Sequence, residues 1–454
     1  VMFDALGMVA ATAVMGKEGE DQGDRLDETV RADLLTADLD AFDADPLGTA
    51  AALLGNATTR IVYDLERYRN SGGPVFAATL SRETHVHDPL PAEGLKIQVG
   101  LGYSDGFGRE IQSKMQAEPG PLPLDNPSDP VVGPRWVGTG WTIFNNKGKP
   151  VKQYEPFFSA THQFEFARQV GVSPTMIYDP IQRVVATLAP NHTYSKVVFD
   201  SWQQTTWDVN DTVLQNPATD EDVGSYVQGL PVTEYLPTWY EQRIMGDLGT
   251  AEQSAAQKSA SHADTPAVVH LDTLGRPILT IEDNGPDGQY ETCVGLDIEG
   301  HQLYVMDARN NPVMAYAMVR RDGAGVPLRD ALGNPIIETT AYNLLGHSLY
   351  SLSADAGERW MLNNVAGNPI RGWNSRGYVT RMQYDELQRP THLYVRQGND
   401  PEILAERTMY GDKHPEALQR TLKGQVFQHF DSAGVVTTWE VDFKGNLLQT
   451  SRQL

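Results

Sequence analysis

One short phrase recurs along this chain and limits what it can fold into. Between Tyr342 and Arg389 it appears as YNLLGHSL from Tyr342, NNVAGNPI from Asn363, WNSRGYV from Trp373 and YDELQRPT from Tyr384, with a looser copy, SADAGERW, from Ser353. Each copy sets an aromatic or apolar residue before Asp or Asn, then two variable residues, usually Gly, a polar residue and an apolar one. Further copies start at Leu271, Leu296, Met306, Arg329, Phe430 and Val441. Successive phrases such as Asp297 and Asp307, Asn374 and Asp385, or Asp431 and Asp442 lie ten or eleven residues apart.

Each residue type in the phrase has a physical reason to be there. The apolar residue ends a strand and packs on one sheet face. Asp or Asn hydrogen-bonds the backbone two residues on and starts an Asx-type turn. Gly three residues later takes a positive φ without steric cost. Where Gly is replaced, by Asn310, Gln182 or Gln388, Asn tolerates that conformation better than Gln, so the two Gln turns are expected to differ in type. The polar residue is expected to face solvent, and the apolar residue after it restarts the alternation. Ten or eleven residues is one strand plus one turn, so each phrase is a strand–turn–strand unit. A row of such hairpins makes a long antiparallel sheet, and twist forces a long sheet to curl. Shell, solenoid and propeller all satisfy that period.

Taken in order, the chain reads as five segments. Residues 1–15 end a repeat already in progress: the chain starts at Val1 rather than Met, and Phe3-Asp4-Ala5-Leu6-Gly7 copies the phrase, so we read the sequence as a fragment. Residues 16–58 form an acidic excursion, helical or partly disordered and on the surface, with eleven acids against three bases from Lys17 to Asp45. Residues 59–212 are a first block of hairpins and include the turn SDGFG at 104–108. Residues 213–265 have helix-favouring composition and read as a helical insertion, and residues 266–454 are the dense repeat block.

Several residues tempt a chemical reading. Glu83, His85 and His87 alternate beside Asp88, and on a strand face the two imidazoles offer themselves to a metal, although no third ligand follows at a recognisable spacing. Trp136, Trp141, Trp202 and Trp207 suggest a sugar platform, yet cross-strand packing accounts for them equally. Glu234 and Glu241, flanked by Tyr235 and Tyr240, suggest a glycosidase carboxylate pair, but sequence does not set their separation. Gly106 and Gly108 have no helix or Lys-Ser/Thr pair after them and are turn glycines rather than a phosphate loop. The single cysteine, Cys293, precludes an intrachain disulfide, and no nucleophile-elbow word occurs. The expected catalytic, cofactor-binding and metal residues are therefore none, and we expect no cofactor.

Charge narrows the partners. With 36 basic and 59 acidic residues the net charge is −23, which disfavours binding to nucleic acid or to anionic membranes. No apolar stretch reaches the length of a membrane span.

The residues also carry a resemblance. TRIVYDLERY, YSDGFGRE, IYDPIQRV and QYDELQRP are similar to the repeat of the RHS/YD family. Longer words that include non-repeat sequence, among them VGTGWTIFNNKGKPVKQYEPFFSATHQFEF, EYLPTWYEQR and AGERWMLNNVAGNPIRGWNSRG, resemble the repeat-bearing middle region of the B component of bacterial insecticidal Tc toxin complexes. The resemblance implies an all-β fold in which a long antiparallel sheet of YD/RHS hairpins curls into a hollow shell with short helical insertions. It implies a structural part of a toxin-encapsulating shell, secreted by a bacterium into an extracellular toxin complex. Its partners would be a C component with the enclosed toxic polypeptide, and an A component met through regions outside this sequence. Propeller sequence, a hypervariable toxic tail and the self-cleaving aspartate region of the C component are missing; Asp45-Pro46-Leu47-Gly48 echoes only a piece of the last. On this reading the segment is not an enzyme. The alternatives are a YD-repeat cell-surface adhesion or polysaccharide-contact protein and, further off, a glycan-active β enzyme.

Overall fold

A computed structural model describes residues 1–14, 23–122, 130–324, 326–442 and 445–454. Strands make up 40% of the chain and helices 12%, so the all-β expectation with short helical insertions holds. The chain forms two compact units, one of Val1–Lys196 with Gln215–Ala256 and one of Val197–Leu214 with Gln257–Leu454. Their limits do not follow the five segments read from the sequence.

Unit 1 contains an eight-stranded antiparallel sheet whose neighbours are almost all consecutive in the chain: Met2–Phe3, Val9–Thr12, Thr59–Asp64, Val75–Arg82, Ile97–Ser104, Glu110–Ala117, Arg135–Gly138 and Phe157–Ser159. The side chains alternate as a pleat requires. Phe76, Ala78 and Leu80 point inward from one strand, and Val99, Leu101 and Tyr103 from the next. Helices Thr36–Ala44 and Pro46–Leu54 cover that inward face. Asp45 caps the second helix, its Oδ1 accepting from Gly48 N at 2.9 Å, and Pro46 occupies the first helical position. Phe42, Ala50 and Leu54 are buried in one cluster with Val62, Phe76, Leu80 and Tyr103. The acidic excursion is therefore a lid on the core and not a surface appendage; residues 15–22 of it lie outside the described residues.

A second, smaller core in unit 1 joins Ile177, Ala186, Leu188 and Tyr194 to Val223, Val227 and Tyr235. The segment after Gln215 is pinned by charge as well as by packing. Buried Lys196 reaches Asp220 at 2.9 Å and Asp222 at 2.7 Å, while Tyr194 Oη donates to Asp220 at 2.7 Å.

Unit 2 is built differently. Its strands run as an antiparallel meander, Gln203–Trp207, Ala267–Leu271, Pro277–Asp283, Gln289–Leu296, Gln302–Met306 and Pro312–Ala315, then Tyr350–Ser353 and onward to Leu447–Gln453. A separate hairpin, Ala317–Val319 with Ile337–Thr340, sits in the excursion between Pro312–Ala315 and Tyr350–Ser353. Both clusters of buried apolar residues found among the described residues belong to unit 1. Most side chains of the unit 2 strands are half-buried on either face. Cross-strand ladders hold the sheet instead, such as Tyr350 opposite Trp360 and Trp360 opposite Trp373.

Candidate functional site

The repeated turn is the chain's most regular piece of chemistry. At Asp385 the backbone closes twice: Asp385 N donates to Arg389 O and Gln388 N to Asp385 O, each at 3.0 Å. The Asp385 carboxylate then divides its work. Oδ1 accepts from Leu387 N and Arg389 N, both at 2.9 Å, while Oδ2 accepts from Arg389 Nε at 2.7 Å. Asp105–Arg109, Asp179–Arg183 and Asp272–Arg276 repeat the Nε–Oδ2 contact at 2.7, 2.8 and 2.7 Å. The polar residue of the phrase thus folds back onto the turn in these copies and does not simply face solvent. A guanidinium does this because its planar fork offers a directed donor to a carboxylate.

Asn takes the same slot at Asn311, Asn334 and Asn446, donating to Asp307, Asp330 and Asp442 at 3.4, 3.3 and 2.7 Å. Gln182 and Gln388 adopt φ of +73° and +60°, like the turn glycines, and their turns close with the same hydrogen bonds as the rest. The expected difference in turn type is absent because the clamp holds the backbone wherever the residue tolerates the left-handed region.

The tyrosine before Asp or Asn, and Tyr410 before Gly411, has a second task that the phrase alone does not disclose. Tyr178 Oη donates to Pro150 O at 2.8 Å, Tyr342 to Gln302 O at 2.7 Å, Tyr384 to Pro369 O at 2.7 Å and Tyr410 to Pro390 O at 3.2 Å. In every case the acceptor lies five residues past the Asp or Asn of a preceding turn: Asn145, Asp297, Asn364 and Asp385. Tyrosine therefore ties one turn to another like a rung. The separations along the chain between tyrosine and acceptor differ from case to case, so the sequence alone did not signal the pairing. Arg389 adds a tie of its own, reaching Asp412 at 2.9 Å with its guanidinium 4.0 Å from the Tyr410 ring centroid.

The residues that tempted a chemical reading have the following surroundings. The strand that begins at Val75 ends at Arg82, so Glu83, His85 and His87 share no strand face. His85 is buried with Nδ1 3.8 Å from Asp24, and Glu83 accepts from Gln98 Nε2 at 3.1 Å. Glu234 pairs with Lys152 at 2.7 Å, and Glu241 closes a capping box with Thr238 at the start of helix Trp239–Ile244. Trp136 is buried beside His162 and Trp141 packs on Phe164 and Phe166, while Trp202 and Trp207 belong to unit 2. Cys293 is half-buried on a strand, and burial, with Glu291 nearby, pushes its thiol up and away from the reactive thiolate. A cavity of about 380 Å³ in unit 2 is lined by the Tyr350, Trp360 and Trp373 ladder with Arg359 and Thr380.

The Asp297 turn differs from the Arg and Asn turns described above. At Asp297 the clamp residue is His301 and a second carboxylate, Glu299, stands two residues after the Asp. His301 Nδ1 lies 3.1 Å from Asp297 Oδ2 and 3.5 Å from Glu299 Oε2. Burial opposes ionisation of Asp297, but the His301 N–H and side chain and the Glu299 N–H hold its carboxyl below the ordinary range.

Among the described residues no helix is long and apolar enough to cross a membrane. No family model matches the sequence, and no curated protein matches it. Solved structures do match. A crystal structure of TcdB2-TccC3 superposes with a TM-score of 0.67 at 21% identity, covering 100% of this chain and 20% of that one. TcdB2-TccC3 without its hypervariable C-terminal region gives 0.66 at 20% identity, covering 100% of this chain and 22% of that one. A Tc holotoxin pore of Photorhabdus luminescens gives 0.58 at 21% identity, covering 93% and 19%. This chain thus spans about a fifth of the chains it matches. At that identity the likeness is one of fold, and the fold resembles a stretch of these Tc toxin chains.

Proposed function

We propose that this chain is a wall segment of a toxin-encapsulating β-shell, the B component of a Tc-type insecticidal toxin complex. It houses a toxic polypeptide for delivery and carries out no catalysis itself. The observation that carries this reading is the superposition of the whole chain, end to end, on TcdB2-TccC3. The chemistry of the phrase supports it. Asp, Arg and Tyr, the residues a repeat could have devoted to a site, serve to close turns and join them. An antiparallel meander pairs its backbone N–H and C=O groups within the sheet, which suits a wall that must not offer open hydrogen-bonding groups to its contents.

On this reading the partner is a C component with its enclosed polypeptide. An A component is met through regions beyond residues 1–454, and the assembly works outside the bacterial cell. The test is a protection assay. The complete open reading frame that contains residues 1–454 is co-expressed with a C-type partner whose tail carries a protease-sensitive reporter. We expect the reporter to survive protease in the assembled complex and to be digested once the complex is denatured. Digestion of the reporter in the assembled complex at the rate of the free tail overturns the proposal.

A further inference from the structure

The Asp297 turn is where the clamp changes its chemistry. In the Asp105, Asp179, Asp272 and Asp385 turns a guanidinium occupies the space beside Oδ2 and offers only donors. A neutral imidazole in that space offers a lone pair, and here a second carboxylate faces it. Two residues after the Asp the four Arg turns carry Phe107, Ile181, Leu274 and Leu387; this turn carries Glu299 and moves its apolar residue, Ile298, one place earlier.

The spacing of the three groups fits a metal ion. Asp297, Glu299 and His301 each offer a ligand atom, and those atoms lie within 4.8 Å of one another. For metal–ligand bonds of about 2.1 Å, neighbouring ligand atoms sit about 3.0 Å apart at right angles and about 3.4 Å apart at the tetrahedral angle. The observed separations are 3.1 Å and 3.5 Å from His301 Nδ1 to the two carboxylates.

Two of the three ligands are also held in place. Asp297 Oδ1 is fixed by Glu299 N at 2.9 Å and His301 N at 2.8 Å, which leaves Oδ2 to point at the imidazole. The Tyr342 ring stacks on His301 with centroids 4.5 Å apart and planes 17° apart. Tyr342 is itself tied at Oη to Gln302 O, the residue next to His301. The stack sets the plane of the imidazole and the hydrogen bond sets the stack, the kind of outer support that metal-ligating histidines carry. Arg276 donates to Asp297 O at 3.5 Å, but its charge is already paired with Asp272 at 2.7 Å. The turn therefore gathers two carboxylates and one imidazole, a donor set that a divalent cation suits.

We propose that Asp297, Glu299 and His301 form a facial three-ligand site for a divalent transition ion of the zinc class, with its remaining positions open to water or to a ligand from another molecule. The imidazole nitrogen selects against Ca²⁺ and Mg²⁺, which prefer all-oxygen shells. The inference rests on the geometry of this turn and stands apart from the shell reading.

The test uses the full chain after treatment with a chelator, titrated with Co²⁺ and followed by its visible ligand-field absorption, with Zn²⁺ content read by elemental analysis. Two variants frame it. Glu299→Gln removes an exposed ligand. His301→Arg restores the clamp that four other turns use, so the fold is retained while the lone pair is lost. We expect Co²⁺ binding by the unmodified chain, at least tenfold weaker binding by each variant, and a Zn²⁺-dependent rise in melting temperature that only the unmodified chain shows. Absence of binding by the unmodified chain overturns the proposal, as does an affinity left unchanged in either variant. So does an equal Zn²⁺ effect on melting in the unmodified chain and in His301→Arg.

Discussion

An arginine four residues after an aspartate in a tight turn either reaches for water or folds back onto the carboxylate. Arg109, Arg183, Arg276 and Arg389 all fold back. The sequence made the Asp role legible, because an Asx turn is a local matter settled within five residues. It did not show the Arg clamp, because an offset of four fixes distance along the chain and not direction. The tyrosine rung was hidden for another reason: its acceptor belongs to an earlier turn, and only the sheet register brings the two together. Tyr384 Oη donates to Pro369 O at 2.7 Å, so Tyr384→Phe loses one hydrogen bond and little packing. We expect a cost of about 1 kcal/mol, read as a lower urea midpoint with the slope unchanged. Tyr384→Phe with the midpoint of the unmodified chain would show that the rung is incidental. The candidate metal turn was legible only as residue types: DIEGH reads as one more copy of the phrase until the structure brings the two carboxylates and the imidazole together.

At the scale of elements, the hairpins and the helical stretches were readable, and what was missed is that the first two helices pack on the core. Alternation plus a turn residue every ten or eleven positions leaves few other solutions. Residues 36–54 read as surface because they belong to a segment whose first part, Lys17 to Asp45, is strongly acidic, yet Phe42, Ala50 and Leu54 are buried together beneath the sheet. Ala50 and Leu54 are four residues apart on one helix face, a signal outweighed by the charge count. Leu54 is fully buried against that core, so Leu54→Ala is expected to destabilise unit 1 by about 2–5 kcal/mol, measured by chemical denaturation. A cost under about 0.5 kcal/mol would restore the surface reading. The strand expected over 81–88 stopped at Arg82 for a local reason. Arg82 is the last residue paired with the neighbouring strand, opposite Ile97, and its guanidinium turns inward to Ala57 O and Gly55 O.

At the scale of the whole molecule, fold class was legible and the division into units was not. The boundaries cut through the strand Tyr194–Phe199 and the helix Thr250–Ala260, where composition does not change. Acid tolerance belongs at this scale, because the clamp carboxylates share one direction of shift. Asp105, Asp179 and Asp385 are opposed by burial but held below the ordinary 3.8 by their Arg partners and turn N–H groups. A carboxyl depressed in the folded state stabilises fully above pH 3.8, and that stability is lost as pH falls through the depressed folded values. Relief of the net charge of −23 acts the other way, but it is spread over the surface and screened by salt. Melting temperature at physiological salt is therefore expected to stay level from neutral pH down to about 4 and then to drop. A melting temperature that climbs below pH 4 would contradict the clamps. The rungs have one further consequence. Each tyrosine fastens its turn to an earlier one by a single hydrogen bond, and among the described residues unit 2 shows no buried cluster that every strand must help to fill. Such a strip is indifferent to its own count: a hairpin gained or lost in the gene alters the span by about 10 Å and leaves the remaining fastenings in step, so the length of the strip is set by copy number and not by redesign.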